Sequence, residues 1–466
     1  MIVNTDPRQL FLLVIALLVP AYLIITRHDR RLLAWVCFMI SIHLFDTKII
    51  TNLPAARLVG LLVIPRTIRL IPVMVRTRPG RALIVQYGYL VLLGILFGFI
   101  FPWPNGGILR MFNQMASGRA LIYLIRTAAD ISLTLFIAQQ VIKLKRPDVI
   151  IKYFLVGTSV AALGGVLEYM TDFDWYGTIT GLNPYIIEHR MRGFNFESRG
   201  LGLIAVYGML LSLLLYSRRH SWKLLALIAL HAAALFLAGS TSAIIVFTLA
   251  ATVLFVFDRQ CRTTMFILTF IASLALGGLS VSQSQHLLAF EENAERRLTT
   301  DRISQPATLI EDIAFRMDIL DGPPLLFLVY NPWYLLFGAG PGLVSLPAEA
   351  YIPDVAYFKE VRDAGVNSPP SSGGLLELSN AGIIGLMLWI IICMSSLKAL
   401  KYLSERGKPE DRAWSIGRSV FILVAVCYLV QGSISSIWPV FMGSGIGAAY
   451  LVRLYRLESI THKDRS

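Results

Sequence analysis

The sequence predicts an all-α fold: a polytopic membrane helix bundle of about 12–13 spanning helices, with one long non-cytoplasmic loop containing short amphipathic helices. Three observations predict it. Hydrophobic residues make up 56% of the 466 and charged residues only 15%, whereas a soluble chain carries about 25% charged residues. The apolar residues gather into blocks of about twenty, the length at which an α-helix crosses a bilayer. Lysine and arginine collect in alternate links between those blocks, as they do on the cytoplasmic side of membrane proteins. Residues 1–466 therefore read as a single membrane domain.

The first block, 10–26, has no strong basic region before it. It runs directly into Arg27, Arg30 and Arg31 without a small-residue cleavage site, so it reads as a retained helix rather than a secretion signal. Further blocks fall near 32–50, 55–75, 82–101, 119–142, 149–170, 199–216, 222–238, 239–257, 263–283, 373–396, 416–433 and 435–453. The block at 55–75 is the weakest, because Arg57, Arg66, Arg69, Pro65 and Pro72 interrupt it. It is either interfacial or broken, and without it the count falls to about twelve. The basic links are 27–31, 76–81, 143–147, 217–223, 258–262 and 398–413, with the tail from Arg453. With about thirteen crossings they all face the cytoplasm, and the N-terminus lies outside.

The formal net charge of +13 therefore orients the chain in a membrane and does not point to nucleic acid. The four cysteines, Cys37, Cys261, Cys393 and Cys427, lie in apolar blocks or at their ends, so no disulfide framework or zinc spacing is implied. Two outward links stand apart, 171–198 and 284–372. The longer carries twelve acidic against six basic residues, and a loop of that length is usually functional. Within 306–321, Leu309, Ile313, Met317 and Leu320 recur at helical spacing with Arg316 on the flank. That pattern predicts an amphipathic helix lying on the membrane surface.

Several constellations carry chemistry. His189, Arg190, Arg192, Glu197 and Arg199 crowd the end of the shorter outer link. Guanidinium groups bind phosphate bidentately, so this cluster suits a diphosphate as well as it suits lipid headgroups. Gly338, Gly340 and Gly342 with Pro341 form a tight turn that either re-enters the membrane or approaches a substrate through its backbone. Arg126 and Asp130, four residues apart inside a span, mark either a site or a self-neutralising pair on one helix face. Asp172 and Asp174 have the DxD form some glycosyltransferases use for a divalent metal, but so short a match arises often by chance, and no metal is assigned. Ser240 and its neighbours between two blocks read as a helix cap.

Taken together, these segments resemble the O-antigen ligase and polymerase superfamily. The resemblance rests on Arg192-Gly193-Phe194-Asn195-Phe196-Glu197-Ser198 before a span, Ala238–Ser242 as a serine-rich junction, and Phe337–Gly342 in a long late loop. Gly374–Leu378 through Gly382–Gly385, opening the span that closes the loop, completes it. It covers about residues 185–390. In the family's ligases a histidine of a His-Asn pair before the closing span is linked to catalysis; Ser371 and Ser372 stand there, which favours the polymerase branch.

The resemblance implies glycan transfer on the periplasmic face of a bacterial inner membrane. The donor would be a polyprenyl-diphosphate-linked glycan, used without a cofactor, in company with other glycan-assembly proteins such as a flippase and a chain-length regulator. Arg192, Arg199, Arg316 and Arg126 are then the expected diphosphate ligands. Glu197 is the expected base, ahead of Glu377, with His189, Arg190, Asp130, Gly340 and Gly342 in support. A ligase, or a transporter for a lipid-linked glycan or solute, is the alternative.

Overall fold

The computed structural model describes residues 6–46, 54–103, 115–182, 191–195, 197–258, 260–262, 308–316, 320–352, 370–406, 411–431 and 437–463. Its regular structure is helical throughout these residues, and eight of the described helices are long and apolar enough to cross a membrane. They are α1 (Pro7–Ile25), α6 (Arg78–Ile95, extended to Ile100 by a π-helical turn), α7 (Ala116–Leu144), α8 (Asp148–Thr171), α10 (Ser198–Arg218), α17 (Gly373–Ser404), α18 (Asp411–Val430) and α19 (Ile437–Lys463). Two 17-residue apolar helices, α11 (Trp222–Ala238) and α12 (Thr241–Phe257), and the 13-residue α2 (Asp29–Ser41) are shorter. The expected span at 263–283 lies outside the described residues. Large apolar side chains such as Phe11, Leu18, Met170 and Met387 remain exposed, as a lipid-facing surface requires.

The weak block at 55–75 is broken into α3 (Ala55–Leu62), α4 (Ile64–Thr67), a 3₁₀ turn and α5 (Ile71–Met74). Pro65 and Pro72 each stand in the first turn of a new segment, where proline's missing N–H and fixed φ cost least. Ser240 caps α12, its hydroxyl accepting from the Ala243 N–H at 3.4 Å.

Helices approach closely through small residues, which bilayer packing favours because lipid tails already satisfy apolar side chains. On α19, Gly443 and Gly447 face α7, where an added Cβ would stand 2.5 Å from the Thr134 carbonyl and 2.9 Å from that of Ala138. Gly445, on another side of the same helix, meets Ser396 of α17.

The basic links meet at one end of the bundle. Asp29 takes Lys143 at 2.7 Å and Arg66 at 3.2 Å. Arg453 donates to the Arg76 carbonyl, and Arg412 to that of Arg218. The opposite end is covered by four short helices from the long loop: α13 (Leu309–Arg316), α14 (Gly322–Tyr330), α15 (Pro332–Phe337) and α16 (Ser345–Ala348). Between α8 and α10 at that end lies the six-residue α9 (Trp175–Thr180). Of the amphipathic helix predicted over 306–321, Leu309–Arg316 is described as α13, 317–319 lie outside the described residues, and a new helix starts at Gly322 after a turn at 320–321. Leu309, Ile310 and Ile313 are exposed on α13 while Ala314 is buried. Buried Asp321 binds the start of α17, accepting from the Ser371 N–H at 2.7 Å, the Ser371 hydroxyl at 2.6 Å and the Ser372 N–H at 3.1 Å. Ser371 and Ser372 thus tie the loop to the closing span.

α17 is itself broken. Gly382 has φ 63 and ψ −162, a region essentially closed to residues with a side chain. The glycine turn fills the break. The Ala339 N–H donates to the Ser379 carbonyl at 2.8 Å, the Gly342 N–H to Asn380 Oδ1 at 2.9 Å, and the Tyr89 hydroxyl to the Phe337 carbonyl at 2.8 Å. A Cβ on Gly382 would stand 2.3 Å from the Leu336 carbonyl. Gly382→Ala is therefore expected to lower stability by about 1–3 kcal/mol from backbone strain alone, read as a lower melting temperature in detergent. Gly88→Ala, where an added Cβ meets nothing within 4 Å, should leave the melting temperature unchanged or slightly raised.

Candidate functional site

One face of α7 carries a polar stripe. Arg119, Tyr123, Arg126 and Asp130 follow one another at intervals of four, three and four residues, which stacks them along a helix. At 1.5 Å per residue the stripe runs for about 16 Å. Asp130, nearest the middle, receives Arg57 from the first turn of α3 in a bidentate pair, Nε to Oδ1 and Nη2 to Oδ2, both at 2.9 Å. Asp130 also lies within electrostatic reach of Arg126, and its two oxygens are held by Arg57. Arg126 lies over the Tyr123 ring, 5.0 Å from its centroid. Arg119, 8% exposed, donates to the Ser345 hydroxyl of α16 and lies within electrostatic reach of Glu349. The charges of all three arginines act on Tyr123.

The glycine turn closes over this stripe. Gly342 presses on Tyr123, so closely that a Cβ would fall 2.1 Å from the ring, and Pro341 meets α6 at Gly94 beside Leu124. Trp103 fastens the turn from outside, its Nε1 donating to the Ala339 carbonyl at 3.1 Å. Gly340 and Gly342 thus position loop against helix, and their positive φ of 93 and 71 is what allows the close approach.

Beside the stripe, Glu377 in the first turns of α17 accepts from the Tyr428 hydroxyl at 2.8 Å and from Gln86 Nε2 at 2.9 Å. Tyr428 is in turn within electrostatic reach of both Arg57 and Asp130, and its ring is stacked on Trp389 and Trp438. A half-buried carboxylate with two donors, a tyrosine bridge and a largely buried ion pair thus form one polar seam through apolar surroundings, where ionisable groups are costly and mark function or obligatory pairing.

The residues expected from the shorter outer link are placed differently. Arg192 is 5% exposed. Its Nε reaches Asp174 Oδ1 at 3.1 Å, its Nη2 binds the other carboxylate oxygen, and its guanidinium lies 5.2 Å from the Tyr176 ring centroid. The Arg192 N–H also donates to Glu168 at 2.8 Å, as does that of Gly193. Much of this guanidinium is therefore spent on holding the link, and Asp174 additionally caps α9 through the Gly177 N–H at 2.9 Å. Asp172 ends α8 in left-handed conformation, and the described residues contain no group of three His, Cys, Asp or Glu side chains able to hold a metal.

Glu197 is exposed and precedes α10, whose first turn bonds to its carbonyl. Arg199 is half-buried in that turn. His189, Arg190 and the side chain of Arg316 lie outside the described residues. Between this region and the stripe stands Asp46, which accepts from the Ala55 N–H at 2.7 Å and so caps α3.

Arg57, Arg119 and Tyr123 were not singled out from sequence. The interval pattern from Arg119 to Asp130 was available there; Arg57 was not, since nothing local pairs it with α7. No protein-family model matches the chain, and no curated protein matches it in sequence.

The Arg57–Asp130 pair is open to a direct test. Asp130→Ala should destabilise the protein by about 3–5 kcal/mol, because it takes the carboxylate from a largely buried guanidinium. The double replacement Arg57→Met with Asp130→Leu should recover most of that loss. Melting temperatures of the parent protein, Arg57→Met, Asp130→Leu and the double variant, compared as a cycle, measure the coupling.

Proposed function

We propose that this chain transfers glycan from a polyprenyl-diphosphate carrier, in the manner of the O-antigen and exopolysaccharide polymerases it resembles, at the end of the bundle opposite the basic links. The observation that carries the reading is the stacking of Arg119, Tyr123 and Arg126 on one face of α7, with Arg126 over the Tyr123 ring and the Arg57–Asp130 pair one turn further along. Three guanidinium groups in largely apolar surroundings need a reason beyond orienting the chain. Transfer from a lipid diphosphate supplies one, because negative charge grows on the departing diphosphate as the glycosidic bond breaks, and fixed cations stabilise it. Exposed Leu121 and Ile125 on α7 and Leu92 and Ile95 on α6 supply an apolar wall for a polyprenyl tail at the same level.

In this reading Arg126 and Arg119 meet the diphosphate and Arg57 sets the field from its pair with Asp130. Glu377, joined to that pair through Tyr428, is placed to take the proton of the acceptor hydroxyl. Arg192, with Asp174, shapes the link beside the site, and Ser371 serves the loop anchor, which supports polymerase over ligase. The break in α17 is the one feature that favours a transporter, since discontinuous spans line many transport sites.

Membranes carrying Arg126→Ala or Arg119→Ala, expressed at the normal level, should lose chain extension of a radiolabelled lipid-linked repeat unit by about 10²-fold. Arg30→Ala, in a basic link, should not change it. Full-length polymer from both variants would sink the reading. Intact repeat units retained on the opposite membrane face in a deletion strain would favour the transporter.

A further inference from the structure

A polar cavity opens at the basic end, far from the arginine stripe. It is lined by Ser217, Arg218, Gln260, Ser404, Asp411, Arg412 and Ser415, where the ends of α10, α12, α17 and α18 come together. Arg218 is held rigidly: its Nη2 reaches buried Asp258 at 2.6 Å, its Nη1 reaches Gln260, and its Nε is buried without a hydrogen-bond partner. Asp258 is occupied elsewhere too, accepting from the Ser419 hydroxyl at 2.6 Å and from the N–H groups of Gln260 and Cys261. Arg412 fastens α18 to the end of α10 through the Arg218 carbonyl. The three links that meet there, 217–223, 258–262 and 398–413, carry ten basic and four acidic residues. The local field therefore favours an anion even with Asp411 in the lining.

Two features point to the kind of anion. Trp222, at the start of α11, is 75% exposed, and exposed tryptophan at a span end marks the headgroup level of a bilayer. On the neighbouring last turn of α12, Val256 and Phe257 are exposed, leaving an apolar strip next to the polar cavity. A ligand with a phosphate head and an acyl tail matches both. The Arg412 guanidinium and the Ser415 hydroxyl are donors of the type that recognises phosphate oxygens, while the Ser217 and Ser404 hydroxyls donate to the Leu214 and Lys401 carbonyls.

We propose that this cavity binds a phosphate group, supplied by the headgroup of an anionic phospholipid whose chains lie along the end of α12. The purified full-length protein, delipidated in detergent, is titrated with phosphatidylglycerol, phosphatidylcholine and inorganic phosphate, with binding read by native mass spectrometry and melting temperature. Phosphatidylglycerol is expected to bind and raise the melting temperature, and phosphatidylcholine is not. Arg412→Ala should weaken binding by about tenfold, the loss of one charge-assisted contact. Ser415→Ala, a smaller change to the same wall, should weaken it less, and Lys223→Ala, an exposed cation at the same end but outside the cavity, should have no effect. Inorganic phosphate binding as tightly as the lipid would keep the phosphate chemistry and assign it to a soluble source. Equal losses from Arg412→Ala and Lys223→Ala, or no preference for either phosphate source over phosphatidylcholine, would overturn the proposal.

Discussion

The bidentate pair between Arg57 and Asp130 is the interaction on which much of the non-basic end depends. The segment after α2 is a series of short helical pieces, interrupted by prolines and by arginines that sit badly in apolar surroundings. A continuous helix satisfies its own backbone, but these pieces cannot hold their place by backbone bonding alone. The pair fastens the first of them to the middle of α7. Gly60 completes the attachment, lying so close to α7 that an added Cβ would stand 2.4 Å from the Ala129 carbonyl. Geometry and charge act together here: without the close approach the two side chains would not meet, and without the pair a guanidinium would be buried against it.

The break in α17 and the glycine turn depend on each other in the same way. A span that stops being helical at Gly382 frees backbone groups in a region with little water, where each unsatisfied group is costly. The turn at 338–342 supplies donors for the Ser379 carbonyl and the Asn380 side chain, and α17 in return fixes the turn against Tyr123. The loop is thus part of the bundle's hydrogen-bonding solution rather than a separate cover. Its other anchors, Asp321 on Ser371 and Arg119 on Ser345, tie it at two further points, so the arginine stripe and the loop are positioned as one unit.

The sequence made the helical, membrane-spanning character legible because it resides in local composition: block length and the placement of lysine and arginine need no tertiary knowledge. The break at 55–75 was legible for the same reason, since proline and arginine act where they stand. The candidate site was legible only in part. Arg126, Asp130, Gly340, Gly342 and Glu377 drew attention as costly or special residues, yet their partners come from 73, 38 and 291 residues away in the cases of Asp130, Gly342 and Glu377. An i,i+4 spacing made Asp130 the natural partner of Arg126, and a long-range partner prevailed because Arg57 presents its fork in line with both carboxylate oxygens. Conversely, Arg192 looked like the outstanding external cation, but spacing could not show that Asp174, eighteen residues earlier, folds back to receive it.

The distribution of arginine between the two ends then carries its own argument. Most basic residues occupy links where their charge orients the chain, and there they pair with Asp29, Asp148 and Asp258 or with carbonyl groups at the helix ends. The pairs of Asp29 and Asp148 keep a cation partly in solvent, whereas Arg218 and Asp258 are paired in a largely buried site. The arginines of α7 face the other way on both counts: they stand at the end poorer in basic residues, and they are directed along a helix face into an aromatic and glycine-lined interior. Orientation does not explain them, because positive charge at that end opposes the bias set by the links. Helix packing does not explain these two either, because leucine at the same positions would carry no desolvation cost. In that interior Asp130 meets Arg57 and Glu349 lies within electrostatic reach of Arg119. On the proposed reading, Arg119 and Arg126 would also face a diphosphate whose apolar tail lies along the exposed faces of α6 and α7.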